Sequence, residues 1–324
     1  MRRLLALAWL FALSASCIAQ DAADPSGFPQ KPIRILVGFT PGGGPDITAR
    51  HIAQKLAEAW KQAVIVENRP GAGGTATAGI AARAPADGYT LLSVSSAHAI
   101  APAIYPTLPY DTFKDFSAVA LTGSSKYVLV VPPSLGIRTL SDFLATAKAR
   151  PGQFNFSSAG VGSGTHFAGE ILVARTGISA VHVPFKGIPD ALGETLAGRV
   201  QFFMAPIANS VSLVREGRLV GLGVSSLRRD ALLPGVPTLD EAGAPGYESS
   251  LWFGLLTAAA TPRPIVLKLN REIARILADA DTRARWAPIG IEPRPGPPEE
   301  FEKLLRDDVA LFTKIARAAN IKAD

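Results

Sequence analysis

An α/β fold of two lobes, each built on a doubly wound sheet, is what the sequence predicts, on three observations. Short apolar runs alternate with amphipathic helical stretches from Ile33 to the end of the chain, the pattern of repeated β-then-α units with parallel strands. The apolar runs are continuous, as strands covered by helices on both faces require. Once a leader is set aside, roughly 300 residues remain, more than one compact core usually covers.

The leader is the first element. Arg2 and Arg3 precede an apolar run from Leu4 to Leu13 and then the small residues Ser14 to Ala19, the layout of a secretory signal peptide. The run is much shorter than the about 18 apolar residues a membrane-spanning helix needs. Cleavage after Ala19 is expected, making 1–19 a signal peptide and the periplasm the destination. The alternative is a lipoprotein anchored through Cys17, to which Ser14 is a poor lipobox match. Without the leader no cysteine remains, which excludes disulfides, thiol nucleophiles and cysteine-held metals.

Strands are expected at 33–39, 64–67, 90–95, 127–131, 154–157, 180–183, 201–204 and 219–224. Helices lie between them, as over Pro45–Trp60, where Ile52, Leu56 and Trp60 share one face with Ala49 and Ala53. Gly123 to Pro133 and the Pro/Gly-rich Pro234 to Ser250 read as crossings between lobes. A chain that leaves and returns splits the first lobe, giving 28–126 with 248–324 for lobe 1 and 127–247 for lobe 2. The return is a strand, 251–257, followed by helices at about 264–278 and 298–319. Their apolar stripes, Ile265, Leu269, Ile273 and Leu277, then Phe301, Leu304, Leu305, Val309, Phe312 and Ile315, read as packing faces.

Loss of Arg2 and Arg3 lowers the formal charge from +6 to +4, with no basic block, so there is no nucleic-acid footprint. The histidines His51, His98, His166 and His182 are dispersed without metal-ligand spacing, so neither metal nor other cofactor is expected. Ser163 is not in a G-x-S-x-G elbow. His51 reads as a partly exposed structural residue, and His166 as a cleft or capping residue. Trp252 and Phe253 read as core or hinge packing.

Three glycine-rich loops each follow an expected strand and lead into an expected helix, where doubly wound folds collect ligands. The first is Thr40-Pro41-Gly42-Gly43-Gly44-Pro45-Asp46, the second Arg69-Pro70-Gly71-Ala72-Gly73-Gly74-Thr75, and the third Ser157-Ser158-Ala159-Gly160-Val161-Gly162-Ser163-Gly164-Thr165-His166. Free amides at a helix start favour an anion, glycines admit it close to the main chain, and the hydroxyls of the third loop suit a carboxylate. None matches a nucleotide fingerprint. Arg69 is expected in an ion pair that supports its loop, while Lys186 is either a solvated turn residue or part of the cleft.

Further strings run in order along the chain: Pro32-Ile33-Arg34, Phe39-Thr40-Pro41-Gly42-Gly43, Val66-Glu67-Asn68-Arg69-Pro70-Gly71-Ala72-Gly73-Gly74, Asp87-Gly88-Tyr89-Thr90-Leu91-Leu92, Leu108-Pro109-Tyr110-Asp111, His182-Val183-Pro184-Phe185-Lys186-Gly187, Leu233-Pro234-Gly235-Val236-Pro237-Thr238 and Pro245-Gly246-Tyr247. Together they resemble the Bug-type extracytoplasmic receptors of tripartite tricarboxylate transporters. The resemblance implies a two-lobed periplasmic-binding-protein fold, type II-like, that closes on its ligand by a hinge. It implies a small organic carboxylate, dicarboxylate, tricarboxylate or aromatic acid, held by amides, hydroxyls and waters. By motif the binding residues are Phe39, Thr40, Pro41, Gly42, Gly43, Asp46, Gly73, Gly74, Thr75, Ser95, Ser96, Ser158, Gly160, Gly162, Ser163, Gly164, Thr165 and His166.

One departure concerns the ligand. The family commonly carries Val-Asp-Val-Met-Phe-Asp where this chain reads Val200-Gln201-Phe202-Phe203-Met204-Ala205. Without an acid at Ala205 the ligand is expected to lack an amine, and the apolar 202–206 stretch to suit an aliphatic or aromatic diacid. The implied partners are the transporter's membrane components and, if the bound protein also signals, a sensor kinase ectodomain. The receptor is expected to act as a monomer and not as an enzyme; a secreted hydrolase on the same fold is the competing reading.

Overall fold

A computed structural model describes residues 27–318 and 320–323; the expected signal peptide, with Cys17, lies outside them. The elements in chain order are β1 (Ile33–Val37), α1 (Gly44–Trp60), β2 (Val64–Asn68), α2 (Thr75–Ala82), β3 (Thr90–Ser95), α3 (Ala97–Ile104), β4 (Phe116–Val131), α4 (Leu140–Ala149), β5 (Phe154–Ser158), α5 (Gly164–Thr176), β6 (Ala180–Pro184), α6 (Ile188–Leu196), β7 (Phe202–Pro206), α7 (Ile207–Arg215), β8 (Val220–Val224), α8 (Leu239–Ala242), β9 (Ser250–Ala258), α9 (Arg263–Ala278), α10 (Ala280–Trp286), β10 (Glu292–Pro293) and α11 (Pro298–Ala318). The expected strands are all present, most within one or two residues of their predicted ends.

The hydrogen-bonded order is β2-β1-β3-β9-β4-β7-β5-β6, with β8 and β10 also paired to β4. Parallel pairing holds for β2-β1-β3 and for β6-β5-β7, but β9 and β4 are antiparallel to their neighbours. The purely parallel expectation fails there for a topological reason: the strand that carries the chain across and the one that brings it back run in opposite senses.

β4 is the crossing strand. Phe116 to Lys126 pair with β9, and from Tyr127 onward the pairing passes to β7 and β8. Its first seven residues, Phe116 to Thr122, escaped the sequence reading, which placed a strand-like crossing only from Gly123. Small polar residues and two register shifts, between Ala118 and Ala120 and between Leu121 and Gly123, break the apolar run that marks a strand.

The helices bury the stripes the periodicity implied. On α9, Ile265, Leu269, Ile273 and Leu277 are at most 2% exposed, each contributing about 1.5–3 kcal/mol by leaving water. On α11, Phe301, Leu305 and Phe312 are buried, while Leu304, Val309 and Ile315 pack at their edge. On α1, Ala49, Ile52, Ala53 and Leu56 are buried. His51 is more enclosed than expected: its Nε2 lies 2.8 Å from Thr282 Oγ1, and its ring meets the edge of Trp286. Trp252 is core, donating from Nε1 to Asp308 at 2.6 Å.

Candidate ligand-binding site

The first loop joins β1 to α1. Gly44 opens the helix directly over the Phe253 ring of β9, where any side chain would overlap it. Gly43 precedes it with no side-chain cap; Pro45 has no N–H and Asp46 N donates to Gly43 O at 3.0 Å, so the amides left free at this start are those of Gly43 and Gly44. The loop is braced from behind by Asp46: Oδ2 accepts from Gly42 N at 3.0 Å, and Oδ1 accepts from Asn68 Nδ2 at 2.8 Å and Arg50 Nε at 3.0 Å. Asn68 also donates to Phe39 O at 3.1 Å and accepts from Arg50 Nη2 at 2.7 Å. Burial pushes the Asp46 carboxyl up, but the hydrogen bonds from Arg50, Gly42 and Asn68 outweigh it and hold it below the ordinary carboxylate value.

The second loop turns on successive positive φ angles at Gly71, Ala72, Gly73 and Gly74. Gly73 faces the third loop so closely that a Cβ there would stand 2.6 Å from Val161 O. As expected, Arg69 pairs with Glu67, at 3.2 Å.

The third loop joins β5 to α5. Ser163 caps the helix, accepting from His166 N at 3.2 Å. Thr165 Oγ1 accepts from Ala159 N at 2.9 Å and lies 3.0 Å from Ser163 Oγ. Behind it His182 stacks on His166 with ring centroids 3.9 Å apart, and its Nε2 is 2.6 Å from Ser158 Oγ. Burial, with a smaller effect from the neighbouring His166, lowers the His182 pKa to about 3.

The first and third loops converge on one cavity, lined by Phe39, Thr40, Gly43, Pro45, Ser95, Ala159, Ser163, Gly164, Thr165, Ile188 and Leu251. Next to it, Gly73, Gly74, Ser95 and His98 help line a smaller pocket. Pro70, Gly71, Ala72, Phe185 and the exposed Lys186 help line an opening of about 690 Å³. Phe39 borders all three. Contacts between the two sides are tight: Asn209 donates to Gly42 O at 2.7 Å, and Thr40 Oγ1 occupies the space where Gly187 would carry a side chain.

Seven residues named from the sequence, Phe39, Thr40, Gly43, Ser95, Ser163, Gly164 and Thr165, therefore meet in one place. Others have different work. Asp46 braces its loop; Thr75 bonds Ala72 O at 2.9 Å; Ser158 is committed to His182 and Gly160; His166 stacks behind the loop and takes a hydrogen bond from Gly162 N at 3.3 Å. Gly42, Gly160 and Gly162 supply turns with positive φ, and Pro41 is exposed. Ala205 is fully buried on β7, packed among apolar side chains that include Val128, Phe203 and Val224. It lines none of these cavities, and Phe202 to Met204 likewise lie in the core because both faces of β7 are covered.

The sequence did not single out Ile188 or Leu251 as lining residues, nor the Asn68–Arg50 brace. Ile188 and Leu251 are ordinary apolar residues of elements far apart in sequence. Asn68 sat inside a quoted string, but its role needs the fold.

The profile described as the tripartite tricarboxylate transporter family receptor matches residues 48–321. This chain belongs to that receptor family. The protein BugT of Bordetella pertussis is 33% identical over 324 residues, covering 99% of both chains. A Rhodopseudomonas palustris protein solved with adipate superimposes with a TM-score of 0.88 at 32% identity, covering 91% of this chain and 99% of that one. MatC of the same organism, with bound malate, gives 0.85 at 32% identity over 89% and 99%. The receptor is thus a Bug-type, TctC-like, two-lobed periplasmic solute-binding protein in family and fold.

In this receptor the cavity is lined by no Lys, Arg, Asp or Glu. Two long helices, α1 of 17 residues and α5 of 13, begin at it, and their N-terminal partial charges are the main electrostatic feature. Among the described residues there is no cluster of His, Cys, Asp and Glu able to hold a metal, and no helix is long and apolar enough to cross a membrane.

Proposed function

We propose that this receptor captures a small organic carboxylate in the periplasm and delivers it to the membrane components of a tripartite tricarboxylate transporter, with no bond made or broken. The observation that carries the reading is the convergence of the α1 and α5 starts, from opposite sides, on a cavity without charged side chains. Free backbone amides neutralise an anion there, and Thr40, Ser95, Ser163 and Thr165 offer hydroxyls. Phe39, Pro45, Ala159, Ile188 and Leu251 give the space an apolar wall, which suits the carbon chain of a di- or tricarboxylate or an aromatic acid. An amine would find no carboxylate in the lining, so amino acids bind poorly. Adipate and malate in the related structures are of the same chemical class.

The hinge belongs to the same proposal. Lobe 1 comprises 28–126 and 248–324, and lobe 2 comprises 127–247; the shift of β4 pairing at Tyr127 supports that division. Export by a signal peptide cleaved after Ala19 delivers the chain to its compartment. The 2.6 Å Ser158–His182 contact resembles a nucleophile and its base, but Ser158 is fully buried and so is withheld from any substrate.

The test is a thermal-shift screen of adipate, malate, citrate and benzoate, with aspartate and glutamate as controls and mass spectrometry of each mixture. Ligand at about 100-fold over Kd stabilises by about 2.7 kcal/mol, so at least one acid should raise the melting temperature by several degrees. No shift with any acid, a larger one with the amino acids, or turnover of a carboxylate ester would overturn the reading.

A further inference from the structure

Two buried hydroxyls beside the start of α5 lack a well-formed hydrogen bond. Tyr127 and Ser96 are each 1% exposed, and among the described residues neither Tyr127 Oη nor Ser96 Oγ has a hydrogen-bond partner of good geometry, although the two hydroxyls lie near enough to interact with each other. They come from different parts of the chain: Tyr127 is the residue at which β4 leaves β9 for β7, and Ser96 stands between β3 and α3. Both approach Gly164. A methyl group built on that glycine would overlap the Tyr127 hydroxyl and lie 2.7 Å from Ser96 Oγ. Gly164 lines the main cavity and is the first residue of α5; Tyr127 and Ser96 do not line the cavity themselves but put their hydroxyls directly behind this helix start.

A tyrosine kept only for packing would do better as phenylalanine, which fills the same volume without burying an unsatisfied hydroxyl. Tyr127 is also held in place: its N–H donates to Ser225 Oγ at 2.9 Å, and Ser225 N donates to Tyr127 O at 2.9 Å. Ser225 Oγ in turn donates to Ser249 O, at 2.6 Å, on the returning chain. The hydroxyl is therefore presented from a fixed point where the chain crosses over.

We infer that Tyr127 and Ser96 form a ligand-reading pair, whose hydroxyls bind, directly or through one water, the solute oxygen received at the α5 start. The inference rests on the carboxylate-receptor reading above and adds a specificity element to it. The pair rewards an acceptor oxygen at that end of the solute and penalises a methyl group, because a methyl leaves both donors unpaired. Gly164 is required because a side chain there would collide with both hydroxyls and push them from the helix start.

Calorimetric titration of adipate, malate and hexanoate into the full chain and its variants tests this. Tyr127→Phe should weaken adipate binding about tenfold, as loss of one buried hydrogen bond to a charged acceptor implies, and should narrow the preference for adipate over hexanoate. The melting temperature of the ligand-free Tyr127→Phe protein should equal or exceed that of the wild type, a result that a structural role for the hydroxyl would reverse. Ser96→Ala, smaller and less demanding on packing, should shift affinity in the same direction and be non-additive with Tyr127→Phe. Unchanged adipate affinity in both variants, or a lowered ligand-free melting temperature in Tyr127→Phe, overturns the inference while leaving the receptor reading intact. A wild-type chain that binds neither dicarboxylate overturns both.

Discussion

The starts of α1 and α5, which the proposed function aims at one ligand, are supported by opposite means. At α1 the loop is held by a charged brace: Asp46 sits in the first turn and is bound by Gly42 N, Asn68 and Arg50. At α5 the support is neutral, a Ser163 cap and a Thr165 hydroxyl, with the stacked His166 and His182 behind. A carboxylate in the first turn partly cancels the positive end of a helix, so α1 is shaped more rigidly but attracts an anion less. The start of α5 has no acid in its first turn, the nearest being Glu170, 3.5 Å from His166 Nε2, so it keeps more of its partial charge, and the two buried hydroxyls lie on that side.

Filling the α1 start should have the largest effect. Gly44→Val drives a branched side chain into the Phe253 ring; it should cost at least about 3 kcal/mol in urea unfolding and abolish adipate binding. A variant of wild-type stability would show that the helix start moves freely over β9 and is not fixed by it.

Acid separates the two sides next. His182 has a folded pKa of about 3 against an ordinary 6.5, as burial disfavours its cation. The unfolded chain therefore takes up the proton first, so the stability this residue contributes is complete above about pH 6.5 and declines as pH falls toward about 3. Stability should drop by up to about 5 kcal/mol from His182 over that window, and His182→Gln should flatten part of the decline. A slope remains because His98, also lowered to about 3 by burial, acts from the α1 side. A pH profile identical in His182→Gln would remove the histidine stack from the comparison.

Asp46→Asn should cost about 1–2 kcal/mol, since it keeps the shape but weakens charge-assisted bonds to a half-exposed Arg50. Its folded pKa is depressed, so its stabilisation is present above the ordinary carboxylate range and lost as pH falls through the folded value. Ser163→Ala, the matching change at α5, should cost about 1 kcal/mol for a lost cap. Comparing adipate Kd for the two variants sharpens the contrast: Asp46→Asn removes a negative charge near the anion and should offset part of its structural damage, whereas Ser163→Ala should only weaken binding.

What the sequence determined by itself was local. The strand and helix boundaries followed from apolar runs and 3.6-residue stripes, because burial on one or two faces writes its period directly into the chain. The glycine-rich helix starts were legible for the same reason: Gly42, Gly160 and Gly162 adopt positive φ, which few other residues tolerate. Tertiary structure alone decided which of these segments meet. Ile188 and Leu251 line the cavity, Asn68 and Arg50 brace it, and Tyr127 reaches Gly164, through contacts between residues from 18 to more than a hundred positions apart. Such contacts leave no period in the sequence, because an isoleucine in a cleft wall and one in a core bury the same apolar surface. Only the path of β4 out and β9 back determines which wall each residue joins.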